Sequence, residues 1–116
     1  MVVILCTLAL AACATSPKPG EFEKRGLASW YGPRHHGKKT ANGETFDMNA
    51  MTAAHRTLAF NTWVTVRSVI SGKSVKVRIN DRGPYSGHRI IDLSREAAKR
   101  LGMISRGEEE VELTVE

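Results

Sequence analysis

Short segments of alternating apolar and polar residues recur along the chain from about residue 27 onward, and each predicts a β-strand. In the clearest segment, residues 74–80, the odd-numbered positions are valine or isoleucine, whereas the even-numbered positions are polar or charged. Such a segment presents one face to a core and the other to solvent. The predicted strands are Leu27–Tyr31, Trp63–Val69, Ser74–Asn80, Ile90–Asp92 and Glu110–Val115.

The segments 62–68 and 74–80 are separated by a turn that contains Gly72, which predicts a β-hairpin. A single helix is predicted between Ser94, a suitable N-cap, and Gly102, a suitable stop signal. Residues 32–49 are rich in turn formers and predict a long loop. A mainly β domain with one short helix predicts a small closed barrel, because closure removes exposed strand edges.

The N-terminal residues 1–13 are almost entirely apolar and end in Leu10-Ala11-Ala12-Cys13. This run is too short to cross a bilayer, but it suits the apolar part of a signal peptide. Its end resembles the bacterial lipobox, which predicts that the Cys13 thiol carries a lipid, although no basic residue precedes the run. An ordinary secretory signal or a buried strand are the alternatives. Residues 14–25 are expected to be a flexible tether and residues 26–116 the folded domain.

The net charge of +5 favours anionic partners, which include nucleic acids, acidic lipids and carboxylate-bearing polysaccharides. The basic residues form no run of four or more, which argues against a nucleic-acid-binding arm. Both cysteines, Cys6 and Cys13, lie in the N-terminal segment, so no disulfide is expected in the domain. The four histidines lack zinc-ligand spacing, and we expect neither a metal nor a cofactor.

Two acidic residues stand at positions suited to chemistry. Glu44 directly follows an Asn-Gly turn in the long loop, and Asp81 ends an alternating strand just before a Gly-Pro break. Functional side chains are common at such strand ends and loops, because the scaffold is rigid and the loop is open. Taken alone, Glu44 is better explained as a solvated residue, and Asp81 as the partner of a nearby arginine or the first residue of a turn. The aromatic residues Trp30, Tyr31 and Trp63 could stack on sugar rings, with core packing as the alternative for Trp63.

Together these segments resemble the rare lipoprotein A (RlpA) family, and the resemblance extends from about residue 26 to the C-terminus. The segments that carry it are Gly26–Gly32, His36-Gly37, Thr40–Glu44, Met51–His55, Val77–Pro84, Arg89–Ser94 and the helix that ends at Gly102. The resemblance implies a six-stranded double-psi β-barrel related to expansins. It also implies a lytic transglycosylase, a carbon–oxygen lyase that cleaves peptidoglycan between N-acetylmuramic acid and N-acetylglucosamine.

The resemblance further implies which residues form the site. The catalytic group consists of Asp81, Glu44 and His55, with Asp81 as our candidate for the proton-transferring residue. The residues expected to bind the glycan are Trp30, Tyr31, Thr40, Asn42 and Arg82. The alternative function is a non-catalytic, expansin-like module that binds peptidoglycan and loosens the wall.

The lipobox and the resemblance also predict where the protein acts. We expect export and attachment to a membrane through Cys13, with the outer membrane facing the periplasm as the favoured site. Many relatives carry a C-terminal SPOR domain that binds glycan, and the sequence after the barrel predicts none here. Peptidoglycan strands are the expected partner, and cell-division proteins are a second class of partner.

Overall fold

The computed structural model describes residues 22–116. The predicted signal peptide, the lipidated Cys13 and most of the predicted tether lie outside the described residues. Within residues 22–116 no helix has the length and apolar character needed to span a bilayer. The described elements are β1 (Arg25–Trp30), a 3₁₀ turn (Pro33–His35), β2 (Thr52–Ala54), β3 (Trp63–Ser68), β4 (Ser74–Asp81), β5 (Arg89–Leu93), α1 (Arg95–Leu101) and β6 (Glu109–Val115).

The six described strands form one closed barrel in the order β1-β5-β2-β4-β3-β6, and β6 pairs with β1 to complete it. The pairs β1–β5 and β2–β4 are parallel, and the other neighbours are antiparallel. The predicted hairpin is confirmed as β3–β4, with Val64 opposite Val77. The predicted mainly β barrel with one short helix is therefore confirmed.

The barrel interior is filled by the apolar face of each alternating strand, as the sequence pattern predicts. Val66, Val77 and Ile79 are fully buried, and α1 adds the buried residues Ala98 and Leu101 to the same core. Burial of each such side chain contributes about 1.5–3 kcal/mol to folding. The polar side chains of β3 and β4 point away from the barrel core, so they are available to form a site on the outer surface of the barrel.

The helix α1 begins and ends where its sequence predicts. The Ser94 hydroxyl accepts a hydrogen bond from the Ala97 backbone N–H (3.2 Å), which caps the first turn. Gly102 ends the helix with φ of 82°, in the left-handed region that favours glycine.

Three features differ from the predictions. Strand β2 was not predicted, because its three residues, Thr-Ala-Ala, are all buried and show no alternation of apolar and polar positions. Strand β1 begins at Arg25, Phe22 packs against the core, and the Lys24 carbonyl accepts a hydrogen bond from the Leu113 N–H (2.7 Å). Residues 22–25 therefore belong to the barrel, and the tether stays a prediction only for residues 14–21. Trp63 is 45% exposed, so the core-packing alternative for its side chain is wrong.

Candidate active site

The long loop between β1 and β2 contains a small hairpin, residues 37–46, that folds over one end of the barrel. The Phe46 N–H donates to the Lys38 carbonyl (2.7 Å), and the Thr40 N–H donates to the Glu44 carbonyl (2.7 Å). Gly43 takes φ of +92°, a conformation that side-chain-bearing residues rarely adopt, and so forms the predicted Asn-Gly turn. The tip of this hairpin is held near the end of β4, where the Asn42 N–H donates to the Asn80 carbonyl (3.3 Å).

Thr40 and Asn42 use their side chains to shape this hairpin. The Thr40 hydroxyl donates to Asn42 Oδ1 (2.6 Å), and the same oxygen accepts the Glu44 backbone N–H (3.0 Å). Both predicted glycan-binding residues are thus part of the turn that presents Glu44. Direct contact of either with a sugar stays a prediction.

Glu44 is oriented by two residues of β4. Its Oε1 atom accepts a hydrogen bond from Asn80 Nδ2 (3.1 Å) and lies 3.1 Å from Arg78 Nη2. The guanidinium of Arg78, followed by the Asn80 amide, lowers the pKa of Glu44 below its usual value of 4.5. Glu44 is therefore an anion at neutral pH, and its side chain remains 40% exposed at the barrel mouth.

Asp81 stands at the end of β4, directly after Asn80, and three donors surround its carboxylate. The Oδ1 atom accepts the backbone N–H groups of Ala41 and Arg82, each at 2.9 Å. The Oδ2 atom accepts the hydroxyl of Tyr31 at 2.8 Å. The hairpin, the strand end and β1 therefore all contribute to fixing this one carboxylate.

Tyr31 lies at the end of β1, with its hydroxyl on Asp81 and its ring packed against Phe46 (4.6 Å between centroids). Burial, together with the hydrogen bond to Asp81, raises the pKa of Tyr31 well above its usual value of 10.0. Trp30, its predicted companion in sugar stacking, is partly buried and packs against the barrel core. Stacking of either ring on a sugar stays a prediction.

His55 follows β2 and is 3% exposed. Its Nδ1 atom accepts the backbone N–H groups of Thr57 and Leu58, each at 3.1 Å, so the proton of the neutral ring lies on Nε2. Burial, followed by the charges of Arg82 and Arg56, lowers the pKa of His55 to about 4.

The imidazole of His55 makes an edge contact with Phe22 (5.4 Å between centroids) and lines a cavity of about 150 Å³. Its link to the acidic pair is through the main chain, since the His55 N–H donates to the Asp81 carbonyl (3.1 Å). The structure therefore brings Glu44 and Asp81 to the same strand end and attaches His55 to that end by its backbone.

Arg82, expected to bind the glycan, braces the segment after β2. Its Nη1 atom donates to the carbonyls of Leu58 (2.8 Å) and His55 (3.3 Å), and its guanidinium stacks over Phe60 at 4.0 Å. Its backbone N–H contacts Asp81, as described above. A contact between the Arg82 side chain and a sugar stays a prediction.

Two residues of the site, Arg78 and Asn80, were missed by sequence reasoning, which placed them on the polar face of β4. They lie on that face, but the 37–46 hairpin covers it, so Asn80 is 3% exposed and Arg78 contacts Glu44. The available signal was their spacing, since residues 78 and 80 share a strand face beside Asp81.

The site combines an ionised carboxylate, Glu44, with a second carboxylate, Asp81, held by three donors at an open strand end. Such a pair can stabilise developing positive charge and transfer a proton. Within residues 22–116 no group of three or more His, Cys, Asp or Glu side chains is arranged to hold a metal ion.

The closed six-stranded barrel has the fold of a double-psi β-barrel domain. A family model described as "lytic transglycolase" matches residues 23–113, and the chain belongs to this family. Solved structures of the same fold include an expansin from Clavibacter michiganensis (TM-score 0.64, 20% identity, 80% of this chain and 50% of that one). A second is the Streptomyces papain inhibitor (TM-score 0.60, 19% identity, 82% of this chain and 96% of that one).

Within the family, the chain is a member of the rare lipoprotein A group. It is 54% identical over 93 residues to the endolytic peptidoglycan transglycosylase RlpA of Neisseria meningitidis serogroup A, covering 80% of this chain and 39% of that one. It is 58% identical over 92 residues to the probable endolytic peptidoglycan transglycosylase RlpA of Synechocystis, covering 79% and 29% respectively. The chain thus spans 29–39% of the length of these two relatives.

Proposed function

We propose that this barrel is a lytic transglycosylase that acts on peptidoglycan. It cleaves the β-1,4 bond between N-acetylmuramic acid and N-acetylglucosamine and leaves a 1,6-anhydromuramyl end, in remodelling of the wall or separation of cells. The names of the relatives support this activity, because those relatives share the whole barrel with this chain at about half-identical sequence.

The observation that carries the proposal is the carboxylate of Asp81, fixed at the barrel mouth by the hydroxyl of Tyr31 and the N–H groups of Ala41 and Arg82. Proton transfer by a positioned side chain contributes about 10²–10⁴-fold to a rate, provided that the group is held within reach of the reacting atoms.

The reaction is an intramolecular displacement within one sugar. The C6 hydroxyl oxygen of the muramic acid residue bonds to C1 of the same ring as the bond from C1 to the leaving oxygen breaks. The leaving oxygen takes up one proton and the C6 hydroxyl loses one, so no water is consumed. In our proposal Asp81 gives the first proton and takes the second, because the two transfers are sequential.

Glu44 has a different role in this proposal. Its carboxylate stays charged beside Arg78 and Asn80, so it is suited to stabilise the oxocarbenium-like centre at C1 and not to donate a proton. His55 stays neutral at physiological pH and supports the strand end through its backbone contact with Asp81. This division of roles between the two carboxylates is part of the proposal, and the Asp81→Asn variant tests it.

The test is mass spectrometry of soluble products after incubation of the purified chain with peptidoglycan glycan, both intact and stripped of peptides. We expect anhydromuramyl products from the unaltered chain and their loss in Asp81→Asn, which keeps the size of the side chain. Asp47→Asn is the matched control, since Asp47 lies on the loop that carries Glu44, and its carboxylate accepts the Asn49 N–H instead of contacting the site.

Release of products by Asp81→Asn at the normal rate, in a folded protein, would remove Asp81 from the mechanism. Absence of products from the unaltered chain, with retained binding to the glycan, would favour the expansin-like binding module. The fold shared with the Clavibacter expansin is the observation on which that alternative rests.

We propose in addition that the chain is exported and anchored by a lipid on Cys13, in the outer membrane facing the periplasm. The support is the Leu10-Ala11-Ala12-Cys13 sequence after an apolar run. Metabolic labelling with a palmitate analogue should label the chain and fail to label Cys13→Ala, whereas Cys6→Ala should retain the label. Peptidoglycan lies in that compartment and is the substrate we propose. We propose cell-division proteins as the class of protein partner.

A further inference from the structure

We infer that Tyr31 is a positioning residue for Asp81, whose carboxylate it holds in one orientation at the barrel mouth through its hydroxyl. This inference deepens the proposed function and rests on it for the effect on turnover. The contact itself is a property of the folded chain and is testable without any substrate.

The contact joins two strands that are not neighbours in the barrel. Tyr31 follows β1, where its backbone N–H donates to the Leu93 carbonyl of β5 (2.9 Å), and Asp81 ends β4. In the barrel order, β5 and β2 lie between β1 and β4. The Tyr31 side chain therefore reaches across two strands to place its hydroxyl 2.8 Å from Asp81 Oδ2.

Packing contacts hold the ring of Tyr31 in place independently of its hydroxyl. It packs against Phe46 with centroids 4.6 Å apart and an interplanar angle of 31°, and it makes an edge contact with His35 at 5.2 Å. Burial raises the pKa of Tyr31 above its usual value, so the hydroxyl keeps its proton and acts as a donor throughout the physiological range. A rigid donor of this kind restrains its acceptor at little entropic cost.

The two oxygens of Asp81 have different supports. Oδ1 is held by the backbone N–H groups of Ala41 and Arg82, whereas Oδ2 accepts the hydrogen bond of the Tyr31 hydroxyl. Loss of that hydroxyl removes the restraint on Oδ2 and leaves the two N–H groups on Oδ1 to hold the carboxylate.

The test is Tyr31→Phe, which keeps the ring against Phe46 and removes only the hydroxyl. The matched control is Tyr85→Phe, the same chemical change at a tyrosine that is 75% exposed. We expect kcat for release of anhydromuramyl products to fall by about tenfold or more in Tyr31→Phe, with KM changed by less than about twofold. Tyr85→Phe should leave both quantities in place.

A second measurement does not depend on activity. The ¹³C chemical shift of the Asp81 side-chain carboxyl, assigned by its loss in Asp81→Asn, is measured at neutral pH in the full chain. It should change in Tyr31→Phe, because the hydroxyl on Oδ2 is lost, and stay unchanged in Tyr85→Phe. An unchanged chemical shift in a folded Tyr31→Phe protein, or a loss of thermal stability as its only effect, would overturn the inference. If the unaltered chain releases no products, the proposed function fails, whereas the chemical shift still decides the role of Tyr31.

Discussion

Arg78 and Glu44 form an ion pair across the gap between β4 and the 37–46 hairpin, with Nη2 and Oε1 3.1 Å apart. The other terminal nitrogen of Arg78 donates to Asn61 Oδ1 (2.9 Å), so the guanidinium is held from both sides. Asn61 itself has φ of 71°, a left-handed conformation that asparagine tolerates better than most residues. Asn61, a turn residue, therefore holds the Arg78 guanidinium in place, and Arg78 in turn orients Glu44.

Arg78→Gln should raise the pKa of Glu44 toward its usual value of 4.5, because the largest of the contacts that lower this pKa is lost. Turnover should fall several-fold as the carboxylate loses its orientation. The pair is partly exposed, so the loss of stability at neutral pH should be below about 1 kcal/mol. Because the pKa of Glu44 is lowered in the folded state, that loss should shrink as the pH falls through its folded value.

The measurements for this variant are a ¹³C titration of the Glu44 carboxyl and the rate of product release. Arg67→Gln is the matched control, since Arg67 forms a similar exposed ion pair with Glu112 on the barrel wall (3.2 Å). A Glu44 titration that is identical in Arg78→Gln and in the unaltered chain would contradict the prediction.

Asn80→Asp should abolish most activity and destabilise the barrel by about 1–3 kcal/mol at neutral pH. Asn80 is 3% exposed, and its amide donates to Glu44, so the introduced carboxyl group would face a second negative charge. Burial and the neighbouring carboxylate both favour the protonated form of the new group. The destabilisation should therefore be largest above neutral pH and decrease on acidification.

Urea unfolding of Asn80→Asp and of the unaltered chain at pH 5 and pH 8 checks this prediction. The exposed Asn49 supplies the control Asn49→Asp, which should unfold like the unaltered chain at both values. An equal free-energy difference at both pH values would show that charge repulsion with Glu44 is not the cause.

The barrel strands could be predicted where one strand face is buried and the other is not. Strands β3 and β4 have strict alternation, and their predicted pairing is confirmed. Strand β2 has no such signal, because it pairs with β4 and β5 and its three residues are all buried. The residue pattern predicts five strands, and the resemblance implies a sixth without locating it.

The two acidic residues of the site could be singled out because each stands beside a turn or break. The partners of these two residues could not be predicted, because the contacts of Arg78 with Glu44 and of Tyr31 with Asp81 join residues far apart in the chain. Those contacts depend on how the 37–46 hairpin folds back on β4, which local sequence does not specify. The buried state of His55 is likewise a result of packing by Phe22 from outside its own strand.

Ser94→Ala should cost about 1 kcal/mol of stability and leave the site intact, because the Ser94 hydroxyl caps α1 at the Ala97 N–H. The helix packs on the core through Ala98 and Leu101, far along the chain from the acidic residues. Thermal unfolding should show the loss, while kcat and KM stay unchanged. Ser105→Ala, at an exposed position after the helix, is the control. Equal melting temperatures for the two variants would show that the cap contributes nothing.

His55 should make the stability of the barrel depend on pH between about 4 and 6.5, its folded and ordinary pKa values. In this window the unfolded chain binds the imidazole proton more readily than the folded one, so stability rises with pH. The contribution is fully present above about pH 6.5 and is lost as the pH falls to about 4. At ~1.36 kcal/mol per pH unit, the whole effect is on the order of 3 kcal/mol.

His55→Gln should remove this dependence, because the replacement does not titrate and its amide oxygen can still accept the Thr57 or Leu58 N–H. The free energy of unfolding in urea, measured at intervals from pH 4 to pH 7, should rise less steeply in this variant than in the unaltered chain. His88→Gln, a change at an exposed histidine, should preserve the original slope. Parallel slopes for His55→Gln and the unaltered chain would mean that the buried imidazole is not the source of the dependence.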